Sequence, residues 1–282
     1  MAERLADIAA HTRAVRQVGA VVNAMRGLAG TRAQQGQALL PAIRAYADVS
    51  ARAIAQALRL RPKADPPGAP AKPAGEGVLI VFGAQQGFAG SFADRVLDAV
   101  GPGLAKAHVL MVGDRSVAIA RQRGLEPAWT IALPDRPASV AAMASELVDA
   151  LDEHLSRAGP VKVELIVPVW HTGRGAAPER RSLLPLDLAR LSAGAGQVPL
   201  TTLPASVLLD RLAEEYVFAQ VCEAAMEAYA AENQARVQAM AAAKTHIDTQ
   251  LHLLEQREHQ VRQDEITAEV VELAAAGRTR PP

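Results

Sequence analysis

Eight consecutive residues carry the clearest hint of chemistry in this sequence: Gly83-Ala-Gln-Gln-Gly87-Phe-Ala-Gly90, set directly after the apolar run Val78–Phe82 and before a helical stretch. A glycine turn at such a junction lets backbone N–H groups and the start of a helix face an anion, as a phosphate site requires. The spacing is G-x-x-x-G-x-x-G, which matches neither the dinucleotide fingerprint nor the phosphate loop, and no Gly-Lys-Ser/Thr occurs. Asp114, after the second apolar run, is placed to hold a ribose if the turn binds a nucleotide. A tight strand-to-helix turn is the plainer reading, and the spacing favours it.

Metal and nucleophile chemistry find less support. His252, Glu255 and His259 stand three and seven apart, so one helix face can show two imidazoles and a carboxylate to a metal, but a third or fourth ligand must come from elsewhere. A solvated face explains them better. His11 falls in an apolar seam, where a packed histidine is the default. His171 follows Trp170 with Arg174, Arg180 and Arg181 close by, a basic patch or a solvated loop. Cys222 lies within a helical pattern and no G-x-S-x-G is present, so no enzyme site and no resident cofactor or metal are expected.

The elements that would position these residues are unusual in length. Val207 to Ala276 contains neither proline nor glycine. An unbroken helix of that size reaches roughly 100 Å, several times the width of a compact domain. Met240, Ile247, Leu254 and Val261 fall seven apart with Leu251 in the intermediate position, the spacing of a helix that wraps another. After Val261 the phase slips to Ile266, Val270 and Leu273, a stutter. At the other end Ile8, His11, Val15, Val18, Val22, Met25 and Ala29 recur at alternating three and four, and the helical pattern extends to about Leu60 with Pro41 as a kink or break. Matching seams at both ends predict an antiparallel coiled coil closed by the domain between them.

Between the ends, Val78–Phe82, Val109–Val112 and Val163–Val169 read as buried strands, separated by helical stretches at Phe92–Val100, Arg115–Gln122 and Ser139–Ser156. Ser139 is a candidate N-cap and Gly159 a helix end. This alternation predicts an α/β, Rossmann-like domain with a parallel sheet. Residues 176–204 are broken by proline and glycine, with Leu183-Leu184-Pro185 and Val198-Pro199-Leu200 as edge-strand hints. The expected organisation is an N-terminal helix over 1–60, a proline-rich linker over 61–77, an α/β domain over 78–205 and a C-terminal helix over 206–282.

Composition sets further bounds. Lys+Arg and Asp+Glu balance at 30 each over 282 residues, so the whole chain has no electrostatic footprint for nucleic acid or anionic lipid. One cysteine allows no internal disulfide, which fits a reducing compartment. Aromatics are only 3% of the chain, a composition suited to thin, closely packed seams. No run of eighteen apolar residues occurs, and Glu3, Arg4 and Asp7 argue against a signal peptide, so the chain is expected to be soluble, with no transmembrane segment of its own.

Val21-Val-Asn-Ala-Met25-Arg-Gly-Leu-Ala29 resembles the amino-terminal helix of the gamma subunit of F-type ATP synthases. Ala230-Ala-Glu-Asn-Gln-Ala-Arg236-Val-Gln-Ala-Met240 and Val261-Arg262-Gln263-Asp-Glu-Ile266-Thr267-Ala-Glu269-Val-Val-Glu272-Leu are similar to the same family's A-S-E-x-x-A-R-M-x-A-M and A-R-Q-x-x-I-T-x-E-L-x-E-I, with no gap between the blocks. That family also places an α/β domain between two terminal helices. The family's Ser-Asp-Arg-Gly-Leu-Cys-Gly loop stands here as residues 83–90, its Thr-Asp-Asn is replaced by Lys244-Thr245-His246, and the basic residues before Met25 are thinned to Val21, Val22 and Asn23. These departures point to a divergent branch, an alternative type of synthase.

The resemblance implies a non-catalytic central-stalk rotor that transmits torque between a membrane ion-translocating ring and a catalytic hexamer, during ATP synthesis or hydrolysis. Its partners would be the alpha and beta subunits, an epsilon subunit and the c-subunit ring, on the cytoplasmic face of a bacterial inner membrane. By the same match, Met25 would lie near the moving lever of a catalytic subunit, and Arg236, Arg262, Gln263, Thr267, Glu269 and Glu272 would make polar contacts to partners. A nucleotide-binding α/β enzyme with helical oligomerisation extensions is the alternative.

Overall fold

Apolar runs of five residues with no exposed position form the centre of the sheet because both their faces are covered by helices. In the computed structural model, which describes residues 5–60, 77–101, 107–159, 161–187 and 200–278 and, over 274–278, the backbone alone, every residue of β1 (Val78–Phe82) is buried. The remaining strands are β2 (His108–Val112), β3 (Trp129–Ile131), β4 (Val163–His171) and β5 (Gly175–Leu184). Their order is β3-β2-β1-β4-β5, with β1 to β4 parallel and β5 antiparallel to β4.

The helices are α1 (Leu5–Leu58), α2 (Phe92–Val100), α3 (Asp114–Gln122), α4 (Val140–Ala158) and α5 (Ala205–Arg278). Alternate strand residues feed two cores, as the pleat requires. Ile80, Phe82, Leu110, Val112 and Leu165 pack with α4 and with Val217–Tyr229 of α5, and Leu40 and Ile43 of α1 lie against this core. Leu79, Val81, Val109, Met111 and Ile166 pack with α2 and α3, joined by Ala231 and Ala235 of α5. Crossing from one core to the other, α5 passes the end of β1, where the glycine turn begins.

The chain divides into two units, Met1–Leu28 with Val237–Pro282, and Ala29–Arg236. Within each, α1 and α5 run antiparallel. In the smaller unit Gly19 lies against Ile247 and Arg16 pairs with Glu255 at 3.0 Å. In the larger, Gly36 lies against Tyr229 and Ala230, and Arg44 pairs with Glu223 at 2.8 Å and Glu227 at 2.6 Å. The α/β architecture with terminal helices forming an antiparallel coiled coil is therefore present.

Several local expectations need correction. The α1 seam runs through Ile8, Thr12, Val15, Gly19, Val22, Met25 and Ala29, while His11 and Val18 face solvent. Close approach is decisive here. Thr12 satisfies its hydroxyl by donating to the Ile8 carbonyl, and Gly19 makes room for Ile247, so a polar and a side-chain-free residue fit where apolar type alone suggested others. Pro41 lies inside an uninterrupted α1 rather than breaking it. Ser139 makes no capping bond to α4, since it closes a short 3-10 turn (Pro137–Ser139) instead, whereas Gly159 ends that helix with a φ of 76°.

The sheet is mixed, because β5 returns antiparallel through Thr172-Gly173-Arg174, and Pro178 sits comfortably on this edge strand. Most of β5, which reads from sequence as broken chain, and all of β3 carry too little apolar pattern to mark them. Residues 61–76, nearly all of the expected proline-rich linker, and Val198 and Pro199 of the second edge-strand hint lie outside the described residues.

Candidate functional site

The turn after β1 is held from several sides. Gly83 is required by contact: a Cβ there would sit 2.4 Å from the Ser116 side chain. Ser116 Oγ accepts the Ala84 N–H at 2.8 Å. Gln85 bridges neighbouring loops, its Nε2 donating to Asp114 at 2.8 Å while its Oε1 accepts the Leu133 and Asp114 N–H groups. Gln86 Nε2 donates to Asp135 at 2.6 Å. Asp114, the candidate ribose ligand, is therefore engaged with the turn itself.

The backbone N–H groups that would face a phosphate already have an anion. Glu232 of α5 accepts from Gln85 N–H at 3.1 Å and Gln86 N–H at 2.9 Å, and Arg236 donates to the same carboxylate at 2.6 Å. Arg236 also donates to the Gly87 carbonyl at 3.1 Å and to Asn233 at 3.0 Å. Glu232 is 2% and Arg236 5% exposed. Arg236, expected to reach a partner, thus spends its donors inside the chain. Phe88, at the far side of the loop, has a φ of 63° and is 67% exposed.

A second buried charge network joins α1, α5 and β5. Glu227 is 4% exposed and lies between Arg44, at 2.6 Å, and Arg181, also at 2.6 Å. Hydrogen bonds to Glu223 and Glu227 push the Arg44 guanidinium above its ordinary range. Burial pulls Arg181 the other way, but its bonds to Glu179 and Glu227 outweigh it and raise it as well. Within the basic patch suspected around His171, His171 and Arg181 share Glu179 and Arg180 holds Glu164, while Arg174 is exposed on the turn between β4 and β5. On the C-terminal helix Glu255 is taken by Arg16 and His252 contacts Gln256, and among the described residues no metal-competent cluster occurs. Burial, with Glu215 nearby, pushes the Cys222 thiol up to about 11, which leaves it unreactive at neutral pH.

The other sequence-nominated residues lie apart from this turn. Met25 is half-buried in the α1 seam, and Arg262, Gln263, Thr267, Glu269 and Glu272 are exposed on α5. Arg262 pairs with Glu258 one turn back at 3.1 Å, and Thr267 donates to the Gln263 carbonyl. The seam of α5 stays covered at Met240, Ile247, Leu251, Leu254 and Val261, after which Ile266, Val270, Val271 and Leu273 are more than half exposed. Sequence reading misses Glu232 and Glu227. A carboxylate among alanines, valines and a tyrosine is the available signal, because a buried acid needs donors.

A family model described as ATP synthase matches residues 4–278. The chain belongs to the ATP synthase gamma-chain family. Among curated relatives, the ATP synthase gamma chain of Thermobifida fusca is 24% identical over 279 residues, covering 93% of this chain and 91% of that protein. Among solved structures, a chain of the Euglena gracilis mitochondrial ATP synthase (OSCP/F1/c-ring, rotational state 3) superposes with a TM-score of 0.68 at 14% identity, over 99% of this chain and 97% of that one. A chain of the Tetrahymena thermophila mitochondrial ATP synthase central stalk and c-ring gives a TM-score of 0.56 at 17% identity, over 79% and 99%.

Proposed function

We propose that the chain is the central-stalk rotor of an ion-translocating ATP synthase, carrying torque between a membrane c-subunit ring and a hexamer of alpha and beta subunits, with an epsilon subunit beside it. The observation that carries this reading is the antiparallel pairing of α1 and α5, from which α5 emerges with an exposed apolar and polar surface over Arg262–Leu273. A shaft can shift its surroundings only through contacts that differ between their open and closed states. Small and aliphatic side chains suit a bearing that must turn, and Met25, Arg262, Gln263, Thr267, Glu269 and Glu272 are proposed as the contacts that catch. Arg236 is proposed to act through the loop it holds.

Catalysis belongs to the neighbours in this reading. The nucleotide-binding alternative is disfavoured by the carboxylate already seated in the turn. No helix among the described residues is long and apolar enough to cross a membrane, and a peripheral position on the cytoplasmic face of a bacterial inner membrane is proposed through the partners.

The chain is expected to co-purify from native membranes with ATPase catalytic subunits, and recovery without them would overturn the proposal. Arg262→Ala combined with Gln263→Ala should slow turnover of the assembled complex while leaving helix content unchanged by circular dichroism. Undiminished turnover would remove the catch assignment. Titration of the isolated chain with ATP or NAD should show no specific binding, and saturable binding would favour the enzyme alternative.

A further inference from the structure

The turn after β1 has the parts of an anion site: two adjacent backbone N–H groups and a guanidinium converging on one carboxylate. Its occupant is the Glu232 carboxylate, with Oε2 on the Gln85 N–H, and Oε1 on the Gln86 N–H and on Arg236 Nη2. Arg236 closes the ring by donating its Nε–H to the Gly87 carbonyl. We propose that this turn is a carboxylate cradle filled from within the chain, and that Glu232 is a positioning residue which fixes loop 83–90, with Phe88 at its exposed side, to the stretch of α5 that ends at Arg236. The consequence for rotation rests on the rotor reading above.

Three observations support a clamp rather than an incidental ion pair. First, both charges are almost completely buried, where an uncompensated charge is costly, so each depends on the other and on the loop. Second, Phe88 holds a left-handed conformation that a residue with a Cβ adopts only when its surroundings impose it. Third, a carboxylate supplied by the helix loses none of the translational freedom that a dissolved anion would lose on binding, so the loop is tied whatever the solution contains. The Gln85 and Gln86 side chains hold other sides of the turn. Removing Glu232 therefore loosens the turn without deleting all its supports.

The test is limited chymotryptic cleavage after Phe88 in the full-length chain, followed by mass spectrometry. Glu232→Ala should raise the cleavage rate about tenfold or more, the scale expected when charge-assisted hydrogen bonds that close a local opening are lost. Sodium formate, which offers a free carboxylate to the Gln85 and Gln86 N–H groups and Arg236, should restore protection, and sodium chloride at the same ionic strength should not. Glu232→Ala with Arg236→Met removes both buried charges and carries the test if the single variant does not fold: cleavage should again be fast, now with no response to formate. Parent-like cleavage in the variants, or rescue by chloride as complete as by formate, would overturn the cradle. In assembled complexes, Glu232→Ala should show a loss of ATP-driven turnover that formate reverses. Normal turnover in complexes whose isolated chain shows formate-reversible cleavage would overturn the link to rotation, while co-purification tests the rotor reading separately.

Discussion

One helix, α5, contains two kinds of surface. From Val217 to Arg236 no residue is exposed, and the buried set includes Glu227, Glu232, Asn233 and Arg236 alongside alanines, valines and Tyr229. From Met240 to Leu273 only Met240 and Ile247 are buried, with Leu251, Leu254 and Val261 half-covered along a single stripe. Both stretches are rich in small and aliphatic residues, so composition does not separate them. Their neighbours do. The inner stretch meets the sheet, α1 and the β1 turn at once, and each polar group it buries has a partner; the outer stretch meets α1 along one face, as a two-helix seam does. Stability in the inner stretch should therefore depend on charge pairing, and in the outer stretch on a few apolar contacts.

The sharpest way to break this contrast is Arg236→Ala. It leaves the Glu232 carboxylate buried with two backbone donors and no counter-charge, and removal of one partner of such a pair costs about 3–5 kcal/mol. Urea unfolding monitored by circular dichroism should show that loss. A cost near that of Arg262→Ala, whose ion pair with Glu258 is exposed and worth under about 1 kcal/mol, would mean that the inner stretch does not rely on its charges.

In the outer stretch the corresponding lever is apolar. Ile247→Ala removes the most deeply packed side chain below Met240 and should cost about 2–4 kcal/mol, whereas Leu253→Ala, 51% exposed on the other face, should stay within about 0.5 kcal/mol. Equal effects at the two positions would show that the seam is not a stripe. Thermal unfolding of the two variants side by side makes the measurement.

Much of this contrast is legible in the amino-acid sequence, and the reasons differ by element. The heptad Met240, Ile247, Leu254 and Val261 announces the outer seam because a lone stripe is a periodic signal. Strands β1, β2 and β4 are legible for the complementary reason, since strands covered on both faces read as continuous apolar runs. The α1 seam is misread at His11 and Val18 because Thr12 and Gly19 fit by shape and by a local hydrogen bond, properties that hydropathy does not record. β5 escapes notice for its charges and Pro178, all of which an edge strand tolerates. The glycine turn is visible in the sequence, and its spacing favours a plain turn over a nucleotide site. Its filling by Glu232 is not legible, because the partners lie about 146 residues apart in the chain and only folding brings them together.

Thiol chemistry reads the same contrast by another route. At pH 8 a free cysteine near its ordinary value is about one-quarter thiolate, whereas a thiol pushed up to about 11 is about one-thousandth thiolate. Alkylation of native Cys222 should therefore run about 100-fold or more slower than that of a cysteine placed by Leu253→Cys, and the ratio should narrow as pH rises toward 11. Mass spectrometry of iodoacetamide-treated protein measures both rates at once. Similar rates at pH 8 would show that the inner stretch opens readily.

The smallest effect comes from two glycines of α1 that face the two stretches. A Cβ at Gly36 would meet Tyr229 Cδ1 at 3.0 Å, Ala230 Cβ at 3.2 Å and the Ala230 Cα at 3.5 Å, so part of the obstruction is backbone that cannot turn away. A Cβ at Gly19 would meet only Ile247 Cγ2, at 3.2 Å, a single side-chain methyl with no backbone atom beside it, so a shift of a few tenths of an ångström between the two helices relieves it. Both changes gain about 1 kcal/mol of helix propensity. Overpacking costs about 1–3 kcal/mol where the surroundings are fixed. Gly36→Ala should therefore destabilise by up to about 2 kcal/mol, and Gly19→Ala should come out near zero or slightly stabilising. If Gly19→Ala proved the more damaging of the two, the outer seam would be the tighter one, and the division of α5 into a charge-locked stretch and a forgiving one would be reversed.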